Sequence, residues 1–308
     1  HAPSARGARF TDALRAGTGS WLIVTNTGPL LNTLKDLKSE VEEQILELLD
    51  RPISGALDDE THRIDGFDKA IYIANLSKVD NVETAVRVLA KITAHPAWDL
   101  CQGCALKQTC PINNNIATIK SAPELTQRVS WMYRLLTSYE RRLTMRQMSA
   151  HIAFSITGGT ECAAVLSLID QHGVQSAFRA HLFSDLFFGF SNGKRLIPAL
   201  TLNCVQQLQM HASRGRTRPA VELKLQNEPC SEYAPLAASA LPPFAHWKSK
   251  AIDAVNGASA RAALRRLVFM FGQVKDEAWW NYFVQDFAGS EKLRDWENWR
   301  ARGELPPA

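Results

Sequence analysis

Trp98-Asp99-Leu100-Cys101-Gln102-Gly103-Cys104, running on to Cys110-Pro111-Ile112, packs three of the chain's six cysteines into ten residues. It stands at a joint between two differently built halves. Before it, apolar residues come in short continuous runs of the kind that form buried strands; after it, they recur at helical period. A chain of 308 residues can bury a large core and form two domains.

On the amino-terminal side, Arg9 to Ala16 reads as a short helix closed by Gly17. Trp21-Leu22-Ile23-Val24-Thr25 is β-branched and nearly uniformly apolar, the pattern of a central parallel strand covered on both faces. Asn26-Thr27-Gly28-Pro29 breaks that run, and Leu30 re-enters helix. Val41, Ile45 and Leu48 lie at helical spacing on an acidic stretch, residues 51–68 read as a loop, and Ala70-Ile71-Tyr72-Ile73-Ala74-Asn75-Leu76 reads as a second buried strand. Strand, helix, loop and strand make an α/β pattern.

After Asp80 the period is helical. Val82, Val86 and Leu89 make one face; Leu125, Val129, Met132 and Leu136 a second; Met145, Met148, Ile152 and Ile156 a third. Thr144 stands where an N-cap belongs and Gly158-Gly159 where the last of these helices should end. Such stripes are ordinary core. Residues 211–243 read as an irregular connection, with the basic tract Arg214-Gly215-Arg216-Thr217-Arg218 either solvated or in contact with phosphates. Residues 244–299 hold five of the eight tryptophans around an apolar helix or strand at 262–269. The expected class is therefore α/β followed by mainly α. It divides into an α/β segment at 1–80, a helical domain with the cysteine cluster at 81–172, and a mainly helical region at 173–308.

A content of 45% hydrophobic and 21% charged residues is that of an ordinary soluble domain, and no apolar run reaches the roughly 18 residues of a membrane span. The net charge of +4 is mild; it permits contact with nucleic acid without arguing for it. Six cysteines are too few for a disulfide scaffold, and three clustered among three scattered fit a cytoplasmic protein with one metal-type cluster. The opening His1-Ala2-Pro3-Ser4 carries neither Met nor a signal-peptide pattern, as expected of part of a longer polypeptide.

Cys101 and Cys104 have knuckle spacing, so both thiolates can reach one tetrahedral Zn²⁺ at about 2.3 Å, and Cys110 can supply a third ligand. No fourth is obvious: His95 precedes the cluster, while Cys162, Cys204 and Cys230 are distant in sequence. An iron–sulfur centre and three reduced, merely buried thiols are the competing readings. No general base stands beside the cluster at catalytic spacing, so zinc would be a structural staple.

Two polar residues invite a nucleotide. Asn26 ends an apolar strand, where a hydrogen-bonding side chain can reach a γ-phosphate and orient water, although its four residues are also an ordinary turn. Arg146 stands in the first turn of a helix after an α/β segment, where a guanidinium can neutralise phosphate charge or simply be solvated. A phosphate-binding loop is missing: Gly189-Phe190-Ser191-Asn192-Gly193-Lys194-Arg195 is one residue short and carries Arg where the Mg²⁺-binding hydroxyl belongs. No His-Glu-x-x-His occurs, and His151 reads as a packing residue.

Taken together, the stretch from Ala13 to Gly17, the run from Trp21 to Asn26-Thr27-Gly28-Pro29-Leu30-Leu31, and Ile71 to Leu76 resemble the sensor-1 strand and following strand of large bacterial AAA-type ATPases. Trp98-x2-Cys101-x2-Cys104-x5-Cys110-Pro111-Ile112-x-Asn114 is similar to a cysteine motif of some members. Arg142-Leu143-Thr144-Met145-Arg146 to Gly159 is similar to their lid helix. Those members are P-loop ATPase subunits of phage-defence and DNA-modification-dependent restriction systems. The resemblance covers about residues 9–160 and reaches faintly to Leu264-Arg265-Arg266-Leu267.

It implies the back part of a P-loop parallel sheet, then a helical lid and helical carboxyl-terminal region with a cysteine knuckle. Asn26 would be sensor 1, Arg146 sensor 2, and Cys101, Cys104 and Cys110 the metal ligands. ATP and Mg²⁺ would be the cofactors, and further subunits of a defence complex, a homo-oligomer and DNA the partners. The phosphate-binding loop and acidic Mg²⁺ strand would have to precede His1, so this chain alone should not hydrolyse ATP. The alternatives are a zinc-stapled helical adaptor for protein or DNA, and an iron–sulfur protein acting on nucleic acid.

Overall fold

The computed structural model describes residues 12–13, 22–34, 39–50, 63–64, 71–73, 75, 81–138, 143–211, 227, 241–251 and 257–272. It is mainly helical and divides into two units, His1–Asp80 and Asn81–Ala308.

In the first unit, α1 (Thr27–Leu34) and α2 (Ser39–Asp50) precede a two-stranded antiparallel ribbon of β1 (Arg63–Ile64) and β2 (Ile71–Tyr72), with Ile64 opposite Ile71. Ile45 and Leu48 are buried at the spacing read from the sequence, and Asn75 Nδ2 donates to the Leu49 carbonyl at 2.6 Å. The parallel sheet is not what these residues form. Residues 22–26 are irregular, with Leu22 91% and Val24 84% exposed, and β2 pairs antiparallel with a strand inside the expected 51–68 loop. The reason is physical: a run apolar on both faces becomes a parallel strand only with a neighbour on each edge. Among the described residues, both sheets are two-stranded and antiparallel. Of the helix expected over 9–16, only residues 12–13 are described, and they are helical.

The second unit is a packed set of helices. On α3 (Asn81–Thr93), Val82, Ala85 and Leu89 are buried; on α5 (Leu125–Ser138), Leu125, Val129, Met132 and Leu136; on α6 (Met145–Thr157), Met148, Ile152 and Ile156. Each of the Val, Leu, Ile and Met side chains among them contributes about 1.5–3 kcal/mol on removal from water. Between and after them run α4 (Pro111–Ser121), α7 (Cys162–His172), α8 (Val174–Ala180), α9 (Phe183–Leu186), α10 (Asn203–His211), α11 (Leu241–Ala251) and α12 (Gly257–Phe271). One hydrophobic core continues from Val82 to Phe271.

The ends of α6 follow from chemistry within one turn. Thr144 accepts from the Gln147 N–H while Gln147 Oε1 accepts from the Thr144 N–H at 2.9 Å, a complete capping box. At the other end Gly158 takes φ 63°, and a Cβ there would stand 2.7 Å from His181 Cδ2. The segment that falls short of a phosphate-binding loop is a hairpin, β3 (Phe190–Ser191) to β4 (Lys194–Arg195). Its two turn residues, Asn192 and Gly193, have φ 49° and 72°, as a type I′ turn requires.

Polar groups inside this core are joined across long sequence distances. Asn115 Nδ2 donates to the carbonyls of Ile156 (2.8 Å) and His181 (2.6 Å), and its Oδ1 accepts from the Phe183 N–H (3.1 Å). Asp185 and Arg266 form a buried ion pair at 2.7 Å, with the guanidinium also 4.0 Å over the Phe190 ring. The expected irregular stretch 211–243 lies largely outside the described residues, though α11 begins within it at Leu241; residues 262–269 are helical, inside α12.

Candidate metal centre

The cysteine segment is a short 3-10 helix, Pro96–Gly103, followed by a turn into α4. His95 caps its start, Nδ1 accepting from the Ala97 N–H at 3.1 Å. Trp98 anchors it: the indole packs on the core and Nε1 donates to the Ile92 carbonyl at 2.6 Å. Beyond it, the Cys104 N–H bonds the Cys101 carbonyl (3.3 Å) and the Cys110 N–H bonds the Leu106 carbonyl (2.7 Å). Asn113 Nδ2 ties the Lys107 carbonyl at 2.9 Å. Cys110 is the N-cap of α4, and Pro111 takes the first helical position, where a missing N–H costs nothing. Its Sγ accepts from the Asn113 N–H at 3.5 Å.

The structure adds a cysteine that sequence spacing does not reach. Cys162 opens α7, just past the Gly158-Gly159 turn, and it lines the same cavity as Cys101 and Cys104. That cavity measures about 640 Å³, and Ile92, Trp98 and Leu100 supply much of its apolar wall. All four thiols are free. Partial burial pushes the Cys101 thiol up, and the charges of Cys110, Cys162 and Cys104 push it in the same direction. Nevertheless, among the described residues no three His, Cys, Asp or Glu side chains are grouped so as to hold one metal ion. Cys204 is elsewhere, buried in the core with its thiol pushed up to about 12 by burial. Cys230 lies outside the described residues.

The two nucleotide-directed residues belong to different units. Asn26 is exposed; its carbonyl accepts the Leu30 N–H at 3.1 Å and opens α1. Arg146 is exposed on the first turn of α6, while Arg142 falls outside the described residues. His151, read as a packing residue, is fully buried, with Nδ1 2.9 Å from Tyr133 Oη and Nε2 2.8 Å from the Phe187 carbonyl. The carbonyl can only accept, so neutral His151 carries its proton on Nε2 and takes the tyrosine proton at Nδ1. Burial lowers its pKa to about 4.

No family model, curated protein or solved structure matches this chain. Among the described residues no single helix is long and apolar enough to cross a membrane.

Proposed function

We propose that the second unit is the lid-type helical part of an AAA-type ATPase subunit of bacterial anti-phage defence. In this reading, ATP binding or hydrolysis drives assembly or activation of a nucleic-acid-directed complex. The observation behind it is the setting of Arg146. The guanidinium is exposed on the first turn of a helix whose opposite face is buried at Met148, Ile152 and Ile156 and whose start is held by the Thr144–Gln147 box. A cation carried on so rigid a support suits neutralising phosphate charge, the main lever in phosphoryl transfer. Asn26, exposed at the start of α1, is the second phosphate-sensing group. The chain has no Gly-x4-Gly-Lys-Ser/Thr sequence, so ATP and Mg²⁺ are held by another segment or subunit.

Turnover of ATP by the intact subunit tests this. Arg146→Ala is expected to lower it about a hundredfold or more while leaving the thermal midpoint unchanged. Unaltered turnover removes Arg146 from the site.

A second reading, a non-catalytic zinc-stapled helical adaptor for protein or DNA, draws on Cys101, Cys104 and Cys162 lining one cavity within a unit that has its own core. Intact protein that holds stoichiometric metal but binds no nucleotide would select it.

A further inference from the structure

We infer that the cavity beside the 3-10 segment binds a small monocarboxylate with an apolar body, its carboxylate held at the mouth by Lys91 and His95. At about 640 Å³ the cavity falls within the roughly 300–1,000 Å³ of small-molecule sites. Ile92, Trp98 and Leu100 give it an apolar wall. Reduced thiols pack as small hydrophobes, so Cys101, Cys104 and Cys162 extend that wall. Leu100 is 81% exposed, and a ligand body seated against it removes apolar surface from water.

The wall is held in place before any ligand arrives. Trp98 packs on the core and its Nε1 donates to the Ile92 carbonyl, while the Cys104 N–H bonds the Cys101 carbonyl. On the other side, buried Val165 anchors α7, the helix that carries Cys162. A preformed site loses less binding free energy to ordering itself.

The polar groups choose the head group. Lys91 lies in the last turn of α3 and His95 two residues past its end, and both line the cavity. His95 Nδ1 accepts the Ala97 N–H, so the neutral ring carries its proton on Nε2 and offers a donor there. The Lys91 ammonium likewise offers only donors. Among the described residues no Asp or Glu lines the cavity. Two donors, one of them cationic, match the two oxygens and single charge of a carboxylate. A lysine stem lies along apolar surface while its ammonium stays in water, which puts the carboxylate at the mouth and the apolar body inside. These residues all belong to the helical unit and include neither Arg146 nor Asn26, so failure of the nucleotide reading leaves the proposal standing.

The test uses the intact chain, reduced and treated with chelator, with decanoate and phenylbutyrate as the aliphatic and aromatic probes; the tighter of the two identifies the body. Alkylation by iodoacetamide, read by mass spectrometry, should slow about tenfold at Cys104 and Cys162 with a probe at about ten times its Kd. The rate at Cys110, which does not line the cavity, should not change. Lys91→Gln should weaken decanoate about fivefold, the contact being charge-assisted but partly screened, and leave decanol unaffected. His95→Asn keeps an oxygen that can accept the Ala97 N–H but withdraws the Nε2 donor; it should weaken decanoate without changing circular dichroism. Equal affinity for decanoate, decanol and decylamine, or full decanoate affinity in Lys91→Gln, overturns the carboxylate assignment. Undiminished alkylation of Cys104 and Cys162 with either probe at its solubility limit overturns the site.

Discussion

The buried polar core of the helical unit and the cysteine shoulder at its surface draw on the same bundle, yet the core joins several of its polar side chains to one another across long sequence distances. In the core, Asn115 makes three hydrogen bonds, both nitrogens of His151 are bonded, and Asp185 meets Arg266 at 2.7 Å. At the shoulder, backbone groups are paired, while Cys101, Cys104 and Cys162 line a cavity. Unpaired polar groups are costly where water is excluded and cheap where it is not. The core polar residues are architecture, although several are residue types a catalytic site would use.

That contrast is most easily broken at the ion pair. Asp185→Ala leaves Arg266 charged, buried and without its carboxylate, and should cost about 3–5 kcal/mol in urea unfolding. A loss below about 1 kcal/mol would mean that water reaches the guanidinium and the core is not sealed. Replacing both partners by apolar residues of similar volume should recover much of the loss.

Histidine 151 gives the next effect, and its sign is fixed by burial. Its pKa falls to about 4 in the fold, against about 6.5 when unfolded. Above pH 6.5 neither state holds the proton. Below it the unfolded chain takes up a proton that the fold refuses, so stability falls as the pH drops, and the loss is complete near pH 4 at about 3 kcal/mol. His181, lowered mainly by burial, contributes in the same direction. His151→Gln should flatten the curve over this window; an unchanged slope would show that other groups carry the acid sensitivity.

The smallest effect belongs to the shoulder. With metal removed, Cys104→Ser should alter stability by no more than about 0.5 kcal/mol, because Cys104 is exposed and the turn is held by backbone bonds. A larger cost in metal-free protein would place the thiol in the packing and erase the contrast.

Legibility followed the range of the interaction. The Leu125–Leu136 and Met148–Ile156 stripes, the Thr144 cap and the Gly158 stop could be read in advance because each is settled within a turn or two of helix. Asn192-Gly193 carries an equally local signal, that of a type I′ hairpin turn. Trp21 to Thr25 could not be settled that way. Apolarity announces a buried strand, but a strand exists only through the neighbour that accepts its hydrogen bonds, and the sequence of one strand does not specify that neighbour.

The candidate metal site divides along the same line. Cys101, Cys104 and Cys110 stood out because close cysteine spacing is a metal-binding pattern, though among the described residues no three ligands gather around one ion, while Cys162 was one of three remote cysteines with nothing to distinguish it. Asp185 and Arg266, 81 residues apart, were likewise unpaired on the page. By itself the sequence determined where helices start, stop and turn their apolar faces, because propensity, capping and periodicity act locally. Only the tertiary structure decided which helix brings Cys162 to the cavity beside Cys101 and Cys104, and which carboxylate balances the buried guanidinium. Those choices depend on how the helices pack, and packing is a property of the whole core.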